Sequence, residues 1–290
     1  MLARTRLLAT FVALSLFTIP VYGSSLSRGC GRAPSLTTGY HKMSVNGEVR
    51  EFHTTLPENY DTNTPYRLIF CFHFLGSNMT EIVTGAWVET GTYAYYGLQR
   101  LANNSAIFVA PQGTVPGWPN IQGKDIAFTA ALTEALEADL CVNPNLVFAT
   151  GWSYGAGMTF SVGCSLADKF RAGVAIGGAE VSGCDGGKDS FAYMGVHGVQ
   201  DGVLVIEKGR KMRDRWVAVN GCQVPSAVPE PPPGSLTHIL TEYSGCSDHP
   251  VWWLAFDGNH TAAPYDGGIG DSATKSYVPP ETWRFFTQFG

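Results

Sequence analysis

The sequence is 290 residues long and mildly acidic, with 24 aspartates and glutamates against 19 lysines and arginines and a formal net charge of −5. That balance leaves no basic footprint for nucleic acid or an anionic membrane surface, and solubility alone accounts for it. The length suits one large domain with a single buried core.

The first 23 residues read as a secretory signal peptide. Arg4 and Arg6 precede an apolar run from Leu7 to Val21, and Val21-Tyr22-Gly23 offers the small-residue positions a signal peptidase uses. The run is too short to anchor as a membrane span. Its removal takes the basic residues from 19 to 17 against 24 acids, so the charge moves from −5 to −7. No later stretch is apolar enough to cross a bilayer, and residues 24–290 are expected to form one exported, soluble, monomeric domain. Seven cysteines follow the leader: Cys30, Cys71, Cys141, Cys164, Cys184, Cys222 and Cys246. An oxidising compartment predicts that most are paired. Cys71, inside the apolar run Leu68-Ile69-Phe70-Cys71-Phe72, is the expected orphan. The other six leave about 15 connectivities open, with Cys222–Cys246 the preferred pair. None shows metal-binding spacing, so neither a metal nor an organic cofactor is expected. Asn78-Met79-Thr80 and Asn103-Asn104-Ser105 are candidate glycosylation acceptors.

The elements follow in order. Residues Lys42 to Leu56 alternate about Asn46-Gly47, which predicts a hairpin. Tyr66 to Phe74 is a continuous apolar strand, Tyr93 to Ala102 has a helical pattern, and Ala106 to Ala110 is a strand. After a loop holding Pro116-Gly117-Trp118-Pro119, Asp125 is expected to cap a helix reaching about Leu140. The run Leu146-Val147-Phe148-Ala149-Thr150 then enters Gly151-Trp152-Ser153-Tyr154-Gly155, and a small-residue helix pattern from Ala156 to Leu166 leaves it. Strands are predicted at Gly173–Ile176 and Phe191–Val196, then a helix at Val203–Val219. A proline-rich loop at Pro225–Gly234, strands at His238–Tyr243 and Val251–Phe256, and a helix near Glu281–Phe286 complete the chain. Strands alternating with helices imply a mostly parallel sheet covered on both faces.

The strand–GxSxG–helix setting makes Gly151–Gly155 a nucleophile elbow, in which a strained turn lifts the Ser153 hydroxyl above the sheet edge. An alcohol needs a base and a carboxylate that orients it, and in such sheets they follow the serine as acid, then histidine. Of His197, His238, His249 and His260, the favoured base is His260, which falls in Asp257-Gly258-Asn259-His260 just after the strand Val251–Phe256 and before the last helix. His238 opens a strand and His249 precedes one, which places both at the opposite edge. Asp201, just after Phe191–Val196, is the favoured acid. Asp257 is the runner-up, and Asp214 is expected to face solvent. His197 is expected to shape the loop presenting Asp201. The backbone N–H groups of Tyr154 and Phe74 are the candidate oxyanion donors. Trp118, then Phe74, are the candidate walls for an aromatic acyl group, although Trp118 could equally anchor its own loop. Trp152 is expected to pack beneath the elbow.

At these residues the chain resembles the secreted fungal feruloyl esterases of the carbohydrate esterase group, which also holds acetylxylan esterases and polyhydroxybutyrate-depolymerase-like enzymes. The most specific stretches are Ala94-Tyr95-Tyr96-Gly97-Leu98, Phe148 to Gly155, His197-Gly198-Val199-Gln200-Asp201 and Phe256-Asp257-Gly258-Asn259-His260. The resemblance spans nearly all of the chain after the leader. It implies an α/β-hydrolase fold with Ser153, Asp201 and His260 as the triad, and release of hydroxycinnamates from plant cell-wall arabinoxylan. Relatives commonly carry glycine where Ala156 and Asn259 stand and tryptophan where Phe74 stands, and Cys71 is additional. An acetylxylan esterase or polyester depolymerase would use the same triad, and an inactive carbohydrate-binding protein could keep the same fold.

Overall fold

The computed structural model describes residues 26–290, so the expected signal peptide lies outside the described residues. Nine strands form one sheet. They are β1 (Gly39–Val45), β2 (Glu48–Thr55), β3 (Tyr66–Phe72), β4 (Ala106–Pro111), β5 (Val142–Trp152), β6 (Ala172–Ile176), β7 (Ala192–Gly198), β8 (His238–Glu242) and β9 (Val251–Phe256). Their spatial order is β1-β2-β4-β3-β5-β6-β7-β9-β8. From β4 to β9 every neighbouring pair is parallel. The outer pairs β1–β2, β2–β4 and β8–β9 are antiparallel.

The local sequence explains much of this. Asn46 and Gly47 both adopt positive φ, 53° and 82°, the pair of left-handed residues that a two-residue hairpin needs. Leu68 to Phe72 are wholly buried, as expected of a central parallel strand covered on both faces. Helices α3 (Lys124–Asp139), α4 (Tyr154–Ser165) and α5 (Ile206–Val219) cover one face. There Phe128, Leu132, Met158, Phe160 and Trp216 pack on Phe70, Val147, Tyr193 and Trp253. Helices α1 (Met79–Thr84), α2 (Leu98–Ala102) and α6 (Val278–Thr287) cover the other, over Ile69, Phe148, Val174, Met194 and Leu254.

Two local expectations are corrected. Gly123, in the left-handed region, rather than Asp125, caps α3. Asp125 is buried one residue inside that helix, where its carboxylate pairs with Arg50 at 2.7 Å and accepts the Asn120 N–H at 2.8 Å. The helical pattern over Tyr93–Ala102 also yields a helix only from Leu98. Tyr95 and Tyr96 take φ of 52° and 57° in a 3₁₀ turn. Their hydroxyls reach Thr55 Oγ1 (2.6 Å, partly buried) and the Phe72 carbonyl (2.7 Å, buried), two hydrogen bonds that a continuous helix would not direct there.

Cys30–Cys141, Cys164–Cys184 and Cys222–Cys246 are disulfides, and Cys71 is free and buried. They tie the N-terminal segment to the entry of β5, α4 to the loop after β6, and α5 to the loop before β9. Among the described residues, no helix is long and apolar enough to cross a membrane.

Candidate active site

The carboxyl ends of β3, β5, β7 and β9 converge on one rim of the sheet, where parallel α/β sheets place ligand-facing groups. Ser153 stands between β5 and α4 with φ 57° and ψ −116°, a conformation unfavourable for any residue but glycine. The flanking glycines permit the turn. A Cβ on Gly151 would lie 2.4 Å from Gly155 C, and one on Gly155 would lie 2.1 Å from the Phe72 carbonyl oxygen. Ser153 is partly exposed, and its N–H donates to Ile176 O at 2.9 Å.

Backbone contacts join the β7 and β9 loops. Val199 N–H donates to Phe256 O (2.8 Å) and Gln200 N–H to Gly258 O (3.0 Å). A Cβ on Gly198 would lie 2.4 Å from the carbonyl oxygens of Gly258 and Asn259, so only glycine allows this approach. As a result, His260 Nδ1 lies 2.7 Å from Asp201 Oδ2. The other Asp201 oxygen accepts the N–H groups of Val203 (2.9 Å) and Leu204 (2.8 Å). His197 Nε2 donates to Leu204 O at 2.7 Å and lies 3.4 Å from Asp201 Oδ2, so this ring braces the acidic loop. Burial works to raise the Asp201 pKa. Hydrogen bonds from His197, His260 and Leu204 outweigh it and hold the carboxyl well below the usual carboxylate range.

A carboxylate only accepts, so Nδ1 of His260 donates and the Nε2 lone pair is left as the basic site. Nε2 is buried and has no hydrogen-bond partner. The ring is also close to the elbow. A Cβ on Gly177, the residue after Ile176, would lie 3.3 Å from both His260 Nδ1 and Trp152 Nε1. The rings of Trp152 and His260 are 5.0 Å apart. A buried, unsatisfied basic nitrogen beside a strained serine is the signature of a group kept for chemistry.

The other candidates lie elsewhere. Asp257 accepts from Gln200 Nε2 (2.5 Å) and Leu236 N–H (2.7 Å), a structural role within its turn. The Asp214 side chain is 61% exposed and paired with Arg213. His249 lines a hollow of about 1060 Å³ at the opposite edge, remote from Ser153. His238, expected at that opposite edge, instead lies at the same edge as His260. β8 runs antiparallel to β9, so His238 pairs with Phe256. It stands four strands from β5, bonded to Asp266 and stacked on Tyr277.

Trp118 is fully buried and offers no face to a ligand. Its Nε1–H donates to His73 O at 2.7 Å, so the ring anchors the loop after β3. His73 adds to this, with Nδ1–H donating to Phe74 O (2.9 Å) and Nε2 accepting from Gly113 N–H (3.0 Å). Burial pushes its pKa down, consistent with a neutral, accepting ring. Phe74 is half-buried, in edge contact with Trp87 at 4.9 Å and Trp152 at 4.8 Å. Trp87 and Trp152 stack in parallel, 5.2 Å apart with a 2° interplanar angle. Trp87 went unnoticed in the sequence because Gly85-Ala86-Trp87-Val88-Glu89 has no periodicity. A large aromatic in an irregular segment was the only available signal. Trp152, expected beneath the elbow, belongs to this cluster beside His260.

No family model matches the chain. It is 43% identical over 283 residues to feruloyl esterase C of Emericella nidulans, covering 98% of each protein. It is 42% identical over 287 residues to feruloyl esterase D of Neurospora crassa, covering 97% of each. The chain belongs to the feruloyl esterase family. It is a carboxylic ester hydrolase. Solved structures share the α/β-hydrolase fold. A ferulic acid esterase from Anaeromyces mucronatus superposes with a TM-score of 0.55 at 13% identity, over 86% of this chain and 89% of that one. An acetyl xylan esterase from Aspergillus awamori gives 0.58 at 12%, over 87% and 100%.

Proposed function

We propose that this feruloyl esterase family member is exported and releases ferulate or a related hydroxycinnamate from plant cell-wall arabinoxylan, through an acyl-enzyme on Ser153. As Ser153 Oγ attacks the ester carbonyl, its proton passes to His260 Nε2, and Asp201 holds the resulting imidazolium through Nδ1. The oxyanion faces the Tyr154 and Phe74 N–H groups. The tight Gly155–Phe72 approach supports this, because it brings the start of α4 against the loop after β3. Collapse expels the alcohol, which takes the proton from Nε2. Water then repeats the sequence, giving its proton to His260 and its oxygen to the acyl group, and the Ser153 hydroxyl is restored.

The observation that carries the reading is the 2.7 Å His260–Asp201 contact with Nε2 left unpartnered next to the elbow. The cluster of Phe74, Trp87 and Trp152 favours an aromatic acyl group over acetate, since flat apolar rings beside the nucleophile suit a phenylpropenoyl chain. A hydrolysis panel of methyl ferulate, caffeate, p-coumarate and sinapate beside acetylated xylan tests it. A hydroxycinnamate is expected to give the highest kcat/KM, and preference for acetyl release would overturn the assignment.

A further inference from the structure

Exposed apolar side chains are unevenly placed on this chain. Among the described residues eleven large ones are exposed, and seven of these stand on loops leaving the carboxyl ends of the parallel strands. Val115 and Ile121 follow β4, Leu75 follows β3, and Val181 follows β6. Val203 and Val205 follow β7, and Ile269 follows β9. The elbow, after β5, lies among these loops. Leu75, Val203 and Ile269 are 64%, 69% and 81% exposed. Scattered exposed apolar residues are ordinary, whereas a set gathered round one site marks a contact surface.

Short contacts tie this set to the catalytic residues. A Cβ on Gly117 would lie 2.5 Å from the Tyr154 ring and 3.3 Å from Leu75 Cδ1, so Leu75 and the loop after β4 meet at the residue following the nucleophile. Gly157 N–H donates to Ser153 O at 3.1 Å, and a Cβ on Gly157 would lie 2.4 Å from Val181 Cγ2. Val181 therefore packs on the first turn of α4. Val203 N–H donates to Asp201 at 2.9 Å, which places its side chain on the acidic loop.

This position says what the surface meets. A partner seated permanently on the rim would cover the nucleophile, so the occupant is material that brings the ester with it. The rim is also wide: β4 and β9 are five strand spacings apart, about 24 Å. Valine, leucine and isoleucine side chains neither donate nor accept hydrogen bonds, so a hydrated polysaccharide gives them little, whereas an apolar surface takes them out of water. Charged groups beside them are paired locally, Glu180 with Lys211 (2.7 Å), Glu207 with Arg210 (2.8 Å) and Asp266 with His238 (2.9 Å). Such local pairing suits an uncharged surface.

We infer that this rim docks the enzyme on a water-insoluble, apolar ester phase, so that hydroxycinnamoyl esters of long alkyl alcohols are attacked at its surface. The inference rests on the hydrolase reading of Ser153 and adds a substrate class to it. The chemistry is unchanged: ester and water give the hydroxycinnamate and the alkyl alcohol.

The test uses methyl ferulate, which stays dissolved, dodecyl ferulate, which forms a dispersed phase above its solubility limit, and films of polycaprolactone, an aliphatic polyester. The wild-type rate on dodecyl ferulate is expected to rise steeply past that limit, and Ser153→Ala protein to adsorb to the film. Adding Val115→Ser, Ile121→Ser and Ile269→Ser to Ser153→Ala should weaken adsorption at least about tenfold. In otherwise wild-type protein the same three serines should abolish the rise and leave kcat/KM on methyl ferulate within about twofold. An unchanged film affinity, or a rise that survives the three serines, would overturn the docking surface. Wild type alone can also overturn it, by showing no rise and, as Ser153→Ala, no adsorption. Sedimentation of wild type as a dimer that the serines dissociate would assign the rim to a second copy and likewise overturn it. Adsorption to the film with no ferulate released from either ester would sink the hydrolase reading instead, so the two failures are distinguishable.

Discussion

Gly155 approaches the Phe72 carbonyl so closely that an added Cβ would lie 2.1 Å from its oxygen. This is a contact between backbones, with no flexible side chain to yield. It fixes α4 against the end of β3, and with it the separation between the Tyr154 and Phe74 N–H groups. Gly155→Ala must therefore displace the helix start. It is expected to destabilise the protein by about 1–3 kcal/mol and to lower kcat on methyl ferulate. Thermal melts and steady-state kinetics on the same preparation check this. An alanine variant with unchanged kcat would show that the approach does not set the oxyanion geometry.

Ser153 is held at φ 57° and ψ −116°. Such strain amounts to about 1–3 kcal/mol for a non-glycine residue. Ser153→Gly should raise Tm while abolishing turnover, and Ser153→Ala should lower kcat by roughly 10⁶ while keeping the strain. Melting curves of the two variants separate strain from chemistry.

Asp201 is anionic far into acid because its hydrogen bonds outweigh its burial. A depressed folded pKa contributes stability that is complete above the unfolded carboxyl value, about 3.9, and is lost as pH falls through the folded value. The Tm advantage of wild type over Asp201→Asn should thus be constant near neutrality and shrink in strong acid. An advantage that grew on acidification would contradict the assignment. The same variant should lose on the order of 10⁴ in kcat, since an amide no longer holds the required His260 tautomer.

Trp87 lies in parallel contact with Trp152 and in edge contact with Phe74. Aromatic pairs of this kind are worth about 0.5–1.5 kcal/mol beyond area burial. Trp87→Leu should therefore reduce kcat/KM on methyl ferulate by up to about tenfold and change a short acetyl ester much less. Equal losses on both substrates would place Trp87 outside the acyl site.

Local chemistry made several features legible. The hairpin could be read because Asn46 and Gly47 tolerate positive φ. The elbow could be read because two glycines bracket a serine between an apolar strand and a small-residue helix. Cys71 could be set aside because its run is uniformly apolar. Other features depended on partners distant in sequence. Tyr95 and Tyr96 leave the helical pattern because their hydroxyls bond to Thr55 and Phe72. Asp125 is drawn inward by Arg50 rather than capping α3. Trp118 turns away from solvent because the His73 carbonyl needs its donor.

The sequence by itself determined which groups carry chemical potential here: a serine in a strained turn, a histidine and an aspartate in loops after strands, and a mostly parallel sheet to hold them. Only the tertiary structure decided which groups meet. It chose three disulfides from many, reversed β8 so that His238 shares the rim without reaching the elbow, and gathered Phe74, Trp87 and Trp152 into one cluster that meets His260 through Trp152. The reason is physical. Backbone conformation responds to neighbours a few residues away, whereas strand direction, ring packing and the pairing of buried polar groups depend on surfaces that meet only once the sheet has closed.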